Sequence, residues 1–123
     1  MERFARHLVD LAVRYVDPDA VLLFGSVAQG RARADSDVDL LVVGPFSGLP
    51  ERRGLEFRQA ISDYPVPVDA LFYTPAEFGE QASRSGSFVQ SVSRHGSLAY
   101  VRPGFDTSVL WPAGRMAWAG RGA

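Results

Sequence analysis

With 123 residues the chain is in the range of one domain, long enough for a real core and too short for two well-packed ones. Thirteen basic residues, all arginine, against fourteen acidic ones leave a net charge of -1, which removes any bulk electrostatic reason to expect duplex nucleic acid or an anionic membrane as partner. The absence of cysteine excludes disulfides, thiolate metal sites and a cysteine nucleophile. The all-arginine inventory reads most simply as coding bias.

In residues 2–16, Phe4, Leu8, Leu11, Ala12 and Tyr15 recur at helical spacing, with Arg3, Arg6, Asp10 and Arg14 largely opposite, so an amphipathic first helix is expected to end before Asp17-Pro18. Asp10 and Arg14 interrupt its apolar residues, so it does not read as a signal peptide. No run reaches membrane-spanning length, and a cytoplasmic protein is the expectation. Residues 20–24, AVLLF, suit a strand covered on both faces, and DVDLLVV, residues 37–43, a second strand closed by Gly44-Pro45. The twelve residues between them leave room for a turn and one or two helical turns.

Pro50 opens an expected helix over residues 50–63. Residues 66–73, VPVDALFY, predict a third strand, in which Pro67 argues for a strand start or a sheet edge. Thr74-Pro75-Ala76-Glu77 has the form of a capping box, predicting a helix near residues 75–83. Phe88, Val89 and Val92 suggest another short helix ended by Gly96, and residues 98–101 a last extended segment. Beyond Pro103 the Gly-, Ala- and Pro-rich sequence predicts a poorly ordered tail over residues 103–123, unless Trp111, Met116 and Trp118 dock it on the domain or on a partner.

The chemistry gathers in LLFGSVAQGRARADSDVDLLVV, residues 22–43. An acidic residue in a buried strand is costly unless something pairs with it or binds it. Asp37 and Asp39, two apart in a strand, share a face while Val38 and Leu40 turn to the core. Neighbouring carboxylates repel unless a cation sits between them or one is protonated, and Mg²⁺ and Mn²⁺ prefer carboxylate oxygen. Asp69 lies in a strand whose Val68, Ala70 and Phe72 face the core, and it can complete a cluster of three if that strand neighbours the second. Three carboxylates can hold two ions, one carrying a triphosphate and one activating an acceptor hydroxyl. Gly25 permits close backbone approach to a ligand, and Ser26 can cap the short helix that follows, the two together offering an anion site. Arg31 and Arg33 can add charge for a leaving pyrophosphate or stay solvated. Each element alone has a plain reading, as a turn, a strand-edge aspartate or a solvent-facing residue. Their joint order of strand, GS, short helix, DxD strand, helix and D strand is what speaks for a site.

In that order the sequence resembles the minimal nucleotidyltransferases of the DNA polymerase β superfamily. The family pattern of GS, ten residues and DxD is matched by Gly25-Ser26, VAQGRARADS and Asp37-Val38-Asp39. Gly30 and Ser36 also stand at family positions, Asp69 matches the third carboxylate, and the likeness covers roughly residues 5–102, taken as one domain over 1–102. The resemblance implies an α/β (α+β) fold with a small mixed sheet flanked by helices. It also implies transfer of a nucleoside monophosphate, AMP from ATP, with Mg²⁺ (two ions, or Mn²⁺ in their place). Asp37, Asp39 and Asp69 would hold the metal, Asp69 would orient or deprotonate the acceptor, and Gly25, Ser26, Gly30, Arg31 and Ser36 would contact the nucleotide. Gln29 departs from the basic residue many relatives carry before the glycine, which implies a weaker triphosphate grip.

Larger members carry domains for the acceptor that these residues do not contain. Stand-alone members look like antitoxins that transfer AMP to a tyrosine of an all-helical HEPN ribonuclease, which makes a HEPN-type toxin the expected partner. The alternatives are an aminoglycoside-like small-molecule acceptor and a non-catalytic antitoxin that masks its partner. A Rossmann-like site is disfavoured by the glycine spacing of GSVAQG, and a receiver domain by the missing lysine. His7, His95, Arg84 and Arg94 read as structural or surface residues, and Phe78, Phe88 and Tyr100 as core rather than as a base-stacking platform.

Overall fold

The structure, a computed structural model, describes residues 2–33 and 36–110. Along these residues run α1 (Glu2–Val16), β1 (Ala20–Phe24), α2 (Gly25–Ala28), β2 (Val38–Val43), α3 (Leu55–Ala60), β3 (Val68–Tyr73), α4 (Pro75–Ala82), α5 (Phe88–His95) and β4 (Ser97–Val101), with 3-10 turns at Pro50–Arg52 and Thr107–Leu110. The strands form one mixed sheet in the order β3-β2-β1-β4. β1 is antiparallel to β2 and β4, and β2 is parallel to β3. This is the small mixed sheet flanked by helices that the family resemblance implied, and β3 starts directly after Pro67 and lies at the sheet edge, in keeping with the strand start or edge for which Pro67 argued.

Strand alternation divides the core in two. Val21, Val38, Leu40, Val42, Ala70 and Phe72 pack on one face against Ala5, Leu8, Val9 and Ala12 of α1 and Phe57 of α3. Ala20, Leu22, Leu41 and Val43 pack on the other against Phe78 of α4 and Val89 and Val92 of α5. The buried stripe of α1 is rotated slightly from the expected one: Ala5 and Val9 join Leu8 and Ala12 inside, while Tyr15 is 42% exposed. Each fully buried Phe or Leu side chain contributes roughly 1.5–3 kcal/mol relative to an exposed one. The segment leading to β3 is pinned to α1 by Tyr64, whose hydroxyl meets His7 Nδ1 at 2.8 Å and whose ring stacks on the imidazole, so His7 is structural as expected.

The helix expected over residues 50–63 is broken into a 3-10 turn and the shorter α3. Gly54 is the cause: its φ is +71°, and a Cβ there would enter the Phe72 ring. The adjacent Arg53 is buried, forms a bidentate ion pair with Glu77 (2.7 and 3.1 Å) and donates to the carbonyls of Phe72 (3.1 Å) and Gly48. Glu77 serves twice, because it also closes the capping box of α4, whose Thr74 hydroxyl accepts from the Glu77 amide. Arg58 donates to the carbonyl of Ala70 and lies 4.8 Å from the centroid of the Phe72 ring.

β3 begins at Val68 rather than at residue 66, since Pro65 and Pro67 lack the amide a ladder needs. β4 and the helix ended by Gly96 fall where expected, with His95 in the last turn of α5. After β4, Arg102 pairs with Asp17 and Asp19 and so ties the end of the sheet to the α1–β1 turn. The chain then crosses α4, where Leu110 is fully buried and Phe105 packs beside it. Residues 111–123 of the expected tail, with Trp111, Met116 and Trp118, lie outside the described residues. Among the described residues no helix is long and apolar enough to cross a membrane.

Candidate active site

The end of β1 and the starts of β2 and β3 meet at one end of the sheet. Phe24 is the register partner of Asp39, and Asp39 the partner of Asp69. Side chains directly opposite in a ladder share a face, so Phe24, Asp39 and Asp69 form one row across three strands, on the side covered by α4 and α5. The second and third strands are therefore neighbours, as an assembly of the aspartates demanded.

Asp37 stands one residue before β2 and is exposed, as is Asp69, whereas Asp39 is half-buried. Burial, then the charge of Asp69, then that of Asp37 push the Asp39 carboxyl up from 3.8 to about 6. Among the described residues none of the three has an ion-pair partner, the arginine pairs being Arg53–Glu77, Arg84–Glu80 and Arg102 with Asp17 and Asp19. Nor are three acidic or histidine side chains drawn up to ligating distance among the described residues. The donor set fits a divalent cation in chemistry: hard oxygen ligands that repel one another, with the two exposed members free to turn toward an ion.

Gly25 adopts φ +74° and directly abuts the Asp39 carboxylate, which occupies the space a Cβ would need. α2 starts at Gly25 itself, with Phe24 in the capping position and no side-chain cap. Ser26 thus lies inside the first turn rather than capping it, a correction that follows from the glycine starting the helix. Its hydroxyl has no hydrogen bond among the described residues. The turn closes through Gln29 N to Gly25 O (3.2 Å) and Arg31 N to Ser26 O (2.8 Å), and Gly30 supplies the positive φ of +69° that reverses the chain. Arg31 donates to the Gln29 side chain. Ser36 accepts from the Arg33 amide at 2.7 Å and shapes the loop entering β2.

One further side chain at this end was not singled out as a site residue. Phe88, expected in the core, is 47% exposed and packs edge-on to Phe24 with ring centroids 5.3 Å apart. Phe78 is fully buried and Tyr100 half-buried against the α1 face, as expected of core residues.

No curated protein matches the sequence. Among solved structures, one described as a toxin-antitoxin with AMP-PNP is 20% identical with a TM-score of 0.59, over 85% of this chain and 80% of that one. A "putative nucleotidyltransferase from Sulfolobus solfataricus" is 22% identical with a TM-score of 0.50, over 85% and 84%. Both carry the same fold. The family model for the nucleotidyltransferase domain matches residues 4–97, the span from α1 to the start of β4 that builds the Gly25, Asp37, Asp39 and Asp69 end of the sheet. The chain therefore belongs to the nucleotidyltransferase domain family and is a nucleotidyltransferase enzyme.

Proposed function

We propose that the protein transfers AMP from ATP to a hydroxyl of a partner protein, in the role of an antitoxin. The observation that carries this reading is the pairing of Asp39 with Asp69 beside Gly25, carboxylates without an ion-pair partner among the described residues, set against a backbone with no side chain. Asp37, Asp39 and Asp69 hold Mg²⁺, or Mn²⁺ in its place, which when bound offsets phosphate charge and lowers the pKa of an attacking hydroxyl. The backbone of Gly25 and the free hydroxyl of Ser26 hold the triphosphate, with Gly30 shaping the loop, Arg31 released from Gln29 to meet the leaving group, and Ser36 fixing the approach to Asp37. Asp69, exposed at the start of an edge strand, orients the acceptor hydroxyl and takes its proton. The acceptor oxygen bonds to the α-phosphorus as the bond to the bridging oxygen breaks, and pyrophosphate leaves.

The structural neighbour's description supports both the donor and the setting, since that protein is a toxin-antitoxin with AMP-PNP. The resemblance to minimal nucleotidyltransferases supports a HEPN-type toxin as partner and a tyrosine as acceptor. The test is transfer of label from α-labelled ATP, with Mg²⁺, to the product of the adjacent gene, beside a variant carrying Asp37→Asn and Asp39→Asn. Label that disappears in the variant supports the reading. A tight complex with no label would instead make the protein a masking antitoxin.

A further inference from the structure

The described residues expose four large apolar side chains: Tyr15, Leu49, Leu55 and Phe88. Tyr15 and Leu55 belong to α1 and α3, on the face of the sheet away from Asp39, and Leu49 follows the far end of β2. Phe88 alone stands at the Asp39 end of the other face. Its ring leans on Phe24, and Phe24 is both the register partner of Asp39 and the residue before Gly25. Asp39, Phe24 and Phe88 are thus successive side-chain neighbours, leading from the carboxylates to an exposed aromatic surface.

We propose that Phe88 is the stacking surface for the nucleobase of the nucleoside triphosphate, an inference that rests on the nucleotidyl-transfer reading above. Three observations carry it. Phe88 is nearly half exposed although its neighbour Val89 is fully buried, and its T-shaped contact with Phe24, at 83°, fixes the tilt of the ring. The position is rigid: the Ser87 hydroxyl accepts from Gln90 N (3.0 Å) and donates to the Gln81 carbonyl of α4, while the Gln90 side chain accepts from Gly86 N (2.9 Å). Finally, among the described residues the ring contact of Phe88 is with Phe24, and exposed Ser85, Gly86 and Ser91 flank it in sequence, so it offers a small apolar surface in a polar setting. That matches a single planar heterocycle better than the broad apolar centre of a protein interface. Stacking of this kind tolerates any base, so Phe88 contributes affinity for a nucleoside rather than choice among bases.

The experiment is equilibrium binding of ATP and of inorganic tripolyphosphate, each with Mg²⁺, to the full chain and to Phe88→Ala and Phe88→Tyr, with thermal melts to confirm folding. Phe88→Ala is expected to weaken ATP about tenfold, as loss of one base–aromatic stack would. Tripolyphosphate binding should stay unchanged, and Phe88→Tyr should keep wild-type affinity. Unchanged ATP binding in Phe88→Ala would overturn the assignment and leave the transfer reading standing. Unchanged ATP binding together with lost labelling of the protein acceptor would overturn it in favour of acceptor recognition. Equal loss of both ligands in a folded variant would also overturn it. A wild-type chain that binds neither ligand would sink the transfer reading itself.

Discussion

The Asp39 carboxylate occupies the space that a side chain on residue 25 would need, so glycine at that position and aspartate at the start of β2 are one geometric unit. Gly25→Ala must both accept φ +74° and push the carboxylate aside. The backbone term alone costs about 1 kcal/mol. Gly30 has a similar φ of +69° with nothing within 4 Å of an added Cβ, so Gly30→Ala should show that backbone cost by itself. Urea unfolding is expected to rank wild type above Gly30→Ala above Gly25→Ala, and only Gly25→Ala should abolish transfer outright.

Asp39 gives stability an unusual pH dependence. Its carboxyl is raised from 3.8 to about 6, so between those values the folded chain holds a proton that the unfolded chain releases. Its favourable contribution is complete below about 3.8 and is lost as pH rises through about 6. Asp39→Asn removes the penalty above that window. After allowance for solvent screening, the gain is about 1 kcal/mol at pH 8 in a chelating buffer and close to zero at pH 4. Thermal melts across that range check it; a gain independent of pH would refute the charge explanation.

Glu77 has the opposite sign. The hydrogen bond from Arg53, then that from the Thr74 amide, lowers its carboxyl from 4.5 to about 2, so its contribution is present above 4.5 and lost as pH falls toward 2. Glu77→Ala leaves the buried Arg53 guanidinium without its anion and α4 without its capping box. Since the Glu77 side chain is 42% exposed, the cost at pH 7 is put at about 2 kcal/mol, below the full cost of breaking a buried pair. Denaturant midpoints of wild type and variant should converge toward pH 2.

Asp17 is the non-glycine residue with positive φ, +46°, among the described residues. Arg102 Nη1 pairs with its carboxylate at 3.1 Å, while Arg102 Nη2 donates to its backbone carbonyl. Asp17→Gly removes the exposed pair but relieves the backbone, and stability should stay within about 0.5 kcal/mol of wild type. Asp17→Val, which keeps neither the pair nor a tolerated conformation, should lose about 1–2 kcal/mol. Thermal unfolding of the two variants separates these outcomes.

The features legible in the sequence depend on residues close together in the chain. The i, i+2 aspartates before an apolar run, the Thr74-Pro75-Ala76-Glu77 cap and the edge position of a proline-led strand are local signals, and the structure bears out the cap and the edge. The aspartates' row was half legible: their spacing is local, but the alignment of Asp39 with Asp69 needs the parallel pairing of strands separated by α3. What escaped depends on distant contacts. Gly54 breaks the expected helix because the Phe72 ring sits over it, and Arg53 is buried because Glu77 and two carbonyls receive it. Phe88 reads as core by spacing, yet only the placement of α5 over the end of β1 decides that its ring stays out.

The carbonyls of Ala70 and Phe72 on the edge strand β3 accept from the side chains of Arg58 and Arg53. An edge strand normally offers its backbone as a template for another chain, and VDALFY, with its β-branched and aromatic residues, is the kind of hexapeptide that stacks into cross-β assemblies. The two guanidinium groups occupy acceptor positions that an incoming strand would use. The sheet therefore keeps Asp69 exposed to solvent on the same strand whose outward carbonyls are guarded against self-association.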